Sequence, residues 1–328
     1  MHEKLEGNAR LACTTSLTSA KIMSAPPEKA IRHVPTFFGV FVRGMQTISS
    51  AAPMNQPRSK LQALLGLEEW RSRISYGAAL TEFNFTFMLE FMHVGLVRAA
   101  GDFASPVLVI AVGKFIVILL CMFAGAASGA HMNPNISLAT VLLGFTTISR
   151  CIMYTIAQVL GAICGIAAAR AAHGWDVAST TEDLGGCGVG GSGSEGAALV
   201  GSAVFFHFIL CIIGGVAFDD RQGEIFGPIV GPICISSAVA VSIFASAKTA
   251  MLINWGECLA IGLVGGEFNG SEWVAFLGPT LASIAHAVLF VSVPPSQAHG
   301  RYVPPLFRRL QVGHAGEGLD AALVDAAQ

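Results

Sequence analysis

Six stretches of this 328-residue chain are apolar for about the length of a bilayer crossing: Tyr76–Val97, Ser105–Ala127, Ile148–Ala169, Ala197–Phe218, Gly227–Ala247 and Glu272–Val293. A helix needs roughly 20 apolar residues to cross the hydrocarbon core. In lipid each backbone N–H and C=O must be satisfied within its own segment, so runs this long are helices rather than isolated strands. Charged residues make up only 12% of the chain, against 53% hydrophobic, and Phe (21) far outnumbers Tyr (3). That charge content is about half the usual share of a soluble domain. The formal net charge of −2 gives no bulk attraction to nucleic acid. The chain is expected to be a multi-pass membrane protein with lipid as its first partner.

Six crossings place both termini on one side. With the N-terminus inside, fifteen Lys and Arg lie inside and three (Arg98, Arg170, Lys248) outside, with Lys114 embedded. This follows the positive-inside rule and predicts cytosolic termini, in the plasma membrane or an organelle membrane. Residues 1–75 read as a largely disordered cytosolic segment and 294–328 as a cytosolic tail. Glu3 and Glu6 argue against a secretory signal. The eight cysteines stand singly and form neither a disulfide framework nor a paired-cysteine metal motif.

Two shorter apolar pieces remain, Asn133–Gly144 and Asn254–Val264. At 1.5 Å per residue each reaches about half-way through a bilayer. Asn133-Pro134 reads as a helix N-cap followed by proline at the first turn. Asn254 with Glu257 reads as a capping pair. Each piece follows the second crossing of a three-crossing half, and three crossings per half make the halves an inverted repeat, 76–171 and 197–293. Two half-helices entering from opposite faces would meet by their N-termini near the midplane, each carrying about half a positive charge. Such a centre repels cations and can hydrogen-bond a passing neutral molecule.

These features resemble the major intrinsic protein family, the aquaporins and aquaglyceroporins. Ser128-Gly129-Ala130-His131-Met132-Asn133-Pro134 is similar to that family's S-G-A-H-x-N-P-A segment, with Asn135 in place of alanine. Thr81-Glu82-Phe83 and Thr86-Phe87 resemble its first helix. Arg150, Tyr154, Ala157-Gln158 and Gly161-Ala162 resemble its third, and Trp273 with Leu277-Gly278-Pro279 its sixth. The resemblance implies an all-α membrane fold of six helices and two re-entrant half-helices, a homotetramer with one pore per subunit, and no cofactor. It implies a midplane at Asn133, Pro134, Asn135, Asn254, Trp255 and Gly256. Counting from the two Asn residues places the constriction on Gly113, Ser242, Met251 and Glu257. It implies bracing by Glu82, His131 and Gln158.

The second half departs from the pattern. The N-P-A-R tetrad is Asn254-Trp255-Gly256-Glu257, and the fourth-helix glutamate falls on Ala203 or Val204. Glu257 either faces the constriction or reaches back to cap its own helix. Glu90 reads as a second brace, Lys114 as a side chain snorkelling to the headgroups, and His207 as a lone packed polar residue. Gly185–Gly196, with seven glycines, reads as an external loop, and Asn269-Gly270-Ser271 is a glycosylation acceptor by pattern. Nothing gathers a nucleophile and a base, so no enzyme is expected. The expected function is a passive channel for water and small uncharged solutes, glycerol and urea among them, since Gly113 and Ser242 are small. The alternatives are a non-conducting protein keeping the fold, or a pore leaking cations or protons past Glu257.

Overall fold

The computed structural model describes residues 59–174, 180–189, 193–218 and 220–292, with backbone alone for 220–228 and 291–292. The tail 294–328 and most of the segment 1–75 lie outside the described residues. Helices α1 (Lys60–Leu65), α2 (Arg73–Ala100), α3 (Pro106–Ala124), α4 (Pro134–Leu142), α5 (Ile148–His173), α6 (Glu195–Ile213), α7 (Asp220–Ala245), α8 (Trp255–Gly265) and α9 (Trp273–Ser292) follow in order. A 3-10 turn at Leu67–Arg71 precedes α2, and a π turn at Gly214–Phe218 extends α6. The described residues include no strand.

Four helices are long and apolar enough to cross a membrane on length and composition: α3, α5, α6 with its π turn, and α9. The 28-residue α2 is longer, about 42 Å. It differs because one face carries Glu82, Thr86, Glu90 and His93, all buried. The polar stripe turns inward, where intramembrane charge finds partners. The opposite property marks the outer faces. Leu108, Val112, Ile116 and Leu120 of α3 repeat every fourth residue and are about half exposed, the pattern of a lipid-facing stripe.

Close packing rests on small residues. A Cβ at Gly161 would lie 2.5 Å from the Phe83 carbonyl oxygen, and one at Gly165 would lie 2.4 Å from that of Phe87. This Gly-x-x-x-Gly pair brings the α5 and α2 backbones together, which is how helices associate where lipid removes the hydrophobic drive. In the second half Gly278 of α9 packs on Ser202 and the Leu199 carbonyl of α6.

The expected disorder of 1–75 does not extend to its last residues. Glu69 is buried, accepting from Arg150 Nε at 2.7 Å and from Thr147 Oγ1 at 2.5 Å, and Trp70 Nε1 donates to Ser149 Oγ at 3.0 Å. An internal arginine needs a counter-charge, and Glu69 supplies it, so the ordered domain begins before α2.

Candidate functional site

Both half-helices start at an asparagine. The Asn133 side chain accepts from Asn135 N at 2.8 Å, and that of Asn254 from Glu257 N at 3.3 Å. Each satisfies one of the orphan donors of a first turn. The two N-termini touch: a Cβ on Gly256 would lie 3.1 Å from Pro134 Cγ. Asn133 Nδ2 donates across the junction to the Ile253 carbonyl at 3.0 Å. Asn135 does the same at 2.8 Å and also reaches the Ala275 carbonyl at 3.0 Å.

The chain leading into α4 is held from the side. Glu82 accepts from His131 N at 2.9 Å and Met132 N at 2.7 Å, and Gln158 Nε2 donates to the same carboxylate at 2.8 Å. His131 Nδ1 meets Ser137 Oγ at 3.0 Å. Ala130 and Met132 take left-handed φ values of 50° and 49°, which costs roughly 1–2 kcal/mol per residue. Glu82, accepting from both backbone N–H groups and from Gln158, offsets that strain. Its counterpart in the second half is Ser202, whose Oγ accepts from Leu252 N at 2.9 Å. Leu252 stands two residues before Asn254, as His131 does before Asn133. The brace therefore falls on Ser202 rather than on Ala203 or Val204.

A cavity of about 300 Å³ runs past this junction, lined by Asn133 and Asn254. One wall is apolar, with Phe206, Ile209 and Val239 among its residues. The lining also includes a cluster of ionisable groups. Glu257 Oε1 stands 3.4 Å from Lys114 Nζ and 3.3 Å from His93 Nε2. Glu90 is fully buried beside Glu257.

Several expected positions are placed differently. Lys114 does not snorkel; it is buried, turned to Glu257 and part of the cavity wall. Gly113 is not in that wall, because a side chain there would run into Leu96 of α2, at 2.3 Å. Ser242 is not in it either: its Oγ donates back to the Ala238 carbonyl at 2.7 Å, while Ile243 and Ser246 line the space. Gly113 faces Leu96 and Ser242 bonds within its own helix, and neither is among the residues that line the cavity. Met251 and Glu257 do line it. Pro134 and Gly256 pack on one another, Asn135 is fully buried with its amide nitrogen bonded to the Ile253 and Ala275 carbonyls, and Trp255 turns to Phe276 of α9. Glu257 does not bond back to the Asn254 N–H; Asn254 alone caps α8.

A second correction concerns the cysteines. Cys187 and Cys258 form a disulfide, Cα–Cα 5.3 Å. Cys187 belongs to the glycine-rich loop, and Cys258 follows Glu257 on α8. Gly185, Gly186 and Cys187 line the cavity. Gly185, at φ +119°, faces His93, where a Cβ would come within 2.3 Å of Nε2. Only glycine combines that φ with that approach. Asp183 in the same loop is held below the usual carboxylate range, first by the Thr180 hydroxyl and N–H, with Arg98 adding a 2.6 Å ion pair.

The family model described as major intrinsic protein matches residues 69–290. The chain belongs to the major intrinsic protein family. Its relatives include a rice protein (Oryza sativa subsp. japonica) named probable aquaporin PIP2-8, 30% identical over 250 residues that span 71% of this chain and 88% of that one. Human aquaporin-2 is 28% identical over 235 residues, 70% of this chain and 84% of that one. Among solved structures, the aquaglyceroporin from Plasmodium falciparum superposes with a TM-score of 0.54 at 18% identity, covering 67% of this chain and 96% of that one. That last likeness carries the fold. The major intrinsic protein family is one of membrane channels, and this chain has the six long helices and two half-helices of its fold.

Proposed function

We propose that this chain is a passive membrane channel for water and small uncharged solutes, conducting through the cavity between its two halves and using no cofactor. The observation that carries the reading is the junction itself. Two Asn-capped helix N-termini meet at Gly256 and Pro134, and both Asn side chains line one cavity. Their dipoles oppose a cation there, while an amide can hydrogen-bond a neutral molecule. Glu257 does not present a bare negative field, because Lys114 and His93 stand within 3.4 Å of it. This weighs against a cation leak. Its pairing with Lys114 restores one cation to a region where the family's arginine is missing.

Solute choice follows from the same pair. Gly113 and Ser242 do not line the cavity, so glycerol- or urea-sized solutes must pass Lys114, Met251 and Glu257. A tetramer and cytosolic termini belong to this reading, on the family's habit and the Lys/Arg asymmetry. The non-conducting alternative draws support from the disulfide-held loop in the cavity wall.

Swelling and current in proteoliposomes test the proposal. Flux of water or glycerol without current is the expected result. Neither flux nor current identifies a non-conducting protein, and current identifies an ionic path. Asn133→Asp, at matched abundance, should lower flux, since it removes the donor to the Ile253 carbonyl and sets a carboxylate against it. Wild-type flux in that variant would place the pathway elsewhere.

A further inference from the structure

His207 and Cys211 lie one turn apart on α6, and His286 faces them from α9. Cys211 Sγ is 3.5 Å from His207 Nε2 and 3.8 Å from His286 Nδ1, and the three ligand atoms lie within 4.8 Å of one another. None of the three lines the cavity. The rings of the two histidines meet edge to face at 5.6 Å.

As a hydrogen-bonded group this trio is poorly completed. The ring nitrogens turned away from the sulfur, His207 Nδ1 and His286 Nε2, are buried with no partner among the described residues, and an ion held by the two facing nitrogens would leave them so. The sulfur, a weak donor and acceptor, is all that the two facing nitrogens share. The same geometry suits a metal. Zinc bonds of about 2.3 Å to sulfur and about 2.0–2.1 Å to nitrogen, at tetrahedral angles, set sulfur and nitrogen about 3.5 Å apart. The observed 3.5 and 3.8 Å lie close to that edge. Two imidazoles and a thiolate are also the donors that zinc prefers over calcium or magnesium.

We propose that His207, Cys211 and His286 form a three-ligand zinc site that ties α6 to α9, its fourth position open to a water or hydroxide. On binding, the Cys211 thiol gives its proton to solvent and both imidazoles coordinate as neutral rings. The site stands apart from the conducting path and does not rest on the channel reading. Its mechanical reach is nonetheless short. His286 packs on Gly214, where the π turn begins, and on Phe290. Phe290 meets Phe145, which stacks on Phe218 in the cavity wall. A bound ion therefore fixes the joint between α6 and its π turn.

Full-length protein in detergent, stripped with a chelator, is titrated with Zn²⁺ against a chromophoric competitor, and with Co²⁺ for its spectrum. One Zn²⁺ per chain is expected, with a thermal midpoint that rises with Zn²⁺ and a thiolate-to-cobalt charge-transfer band. Cys211→Ser and His286→Gln should each weaken Zn²⁺ by at least ~100-fold, above the ~10–100-fold that outer-shell partners carry. Cys164→Ser, which alters an exposed thiol, should change nothing. Stoichiometric Zn²⁺ binding that survives in folded Cys211→Ser overturns the site. So does a wild-type cobalt spectrum without the thiolate band, whatever the variants do.

Discussion

Lys114 and Glu257 show what a single residue's surroundings decide. Lysine in an apolar helix has two outcomes, reaching for the headgroups or meeting a carboxylate inside. Here α8 delivers Glu257 to it, 143 positions along the chain, at 3.4 Å. Removing one partner leaves the other charge buried, which typically costs about 3–5 kcal/mol, whereas removing both is far milder. Lys114→Met should therefore destabilise the folded protein by about 3–5 kcal/mol. Lys114→Met with Glu257→Gln together should recover much of that loss. Thermal unfolding in detergent, read as a double-mutant cycle, checks it. Additive losses would mean that the two side chains do not interact.

At the scale of elements, glycine placement and the disulfide do the positioning. Gly165 lies against the Phe87 backbone with no room for a methyl group. Gly165→Ala is expected to cost about 1–3 kcal/mol by forcing α5 off α2, as overpacking does. Gly77, on the exposed flank of α2, has nothing within 4 Å of its would-be Cβ. Gly77→Ala should be neutral or stabilise by up to about 1 kcal/mol. Melting temperatures of the pair separate close packing from helix propensity, and equal shifts would refute the contact.

The Cys187–Cys258 bridge fastens a loop across the cavity wall beside Glu257. Cys258→Ser, or a membrane-permeant thiol reductant, should free that loop and raise solute flux several-fold. Unchanged flux would mean that Gly185 and Gly186 hold the loop in place without the bond.

For the whole molecule, two halves of three long helices each, joined at the half-helix N-termini, require an odd number of crossings per half. Labels at residues 10 and 190 should report opposite sides of the membrane, and labels on one side would end the six-crossing arrangement. The polar brace also repeats between the halves, Glu82 in the first and Ser202 in the second. The second half has thus replaced a carboxylate accepting two N–H groups with a hydroxyl accepting one. Its junction is tied instead by Asn133 and Asn135, which both donate to the Ile253 carbonyl.

What the amino-acid sequence determined by itself is what depends on local composition. The crossings, the two Asn-started half-helices and the inverted halves follow from apolar length, capping chemistry and chain order. Glu82 and Glu90 of α2 were read from the sequence as braces, and the structure adds Thr86 and His93 to the same buried face. The tertiary structure decided everything that joins distant segments. It placed Lys114 rather than Gly113 in the cavity wall, joined Cys187 to Cys258, set Glu69 against Arg150 and brought His286 to Cys211. These depend on the rotation of each helix about its axis and on which loop folds over which end. Helix rotation is set by side-chain packing between segments remote in sequence, so a one-residue offset such as Gly113 to Lys114 leaves no local signal.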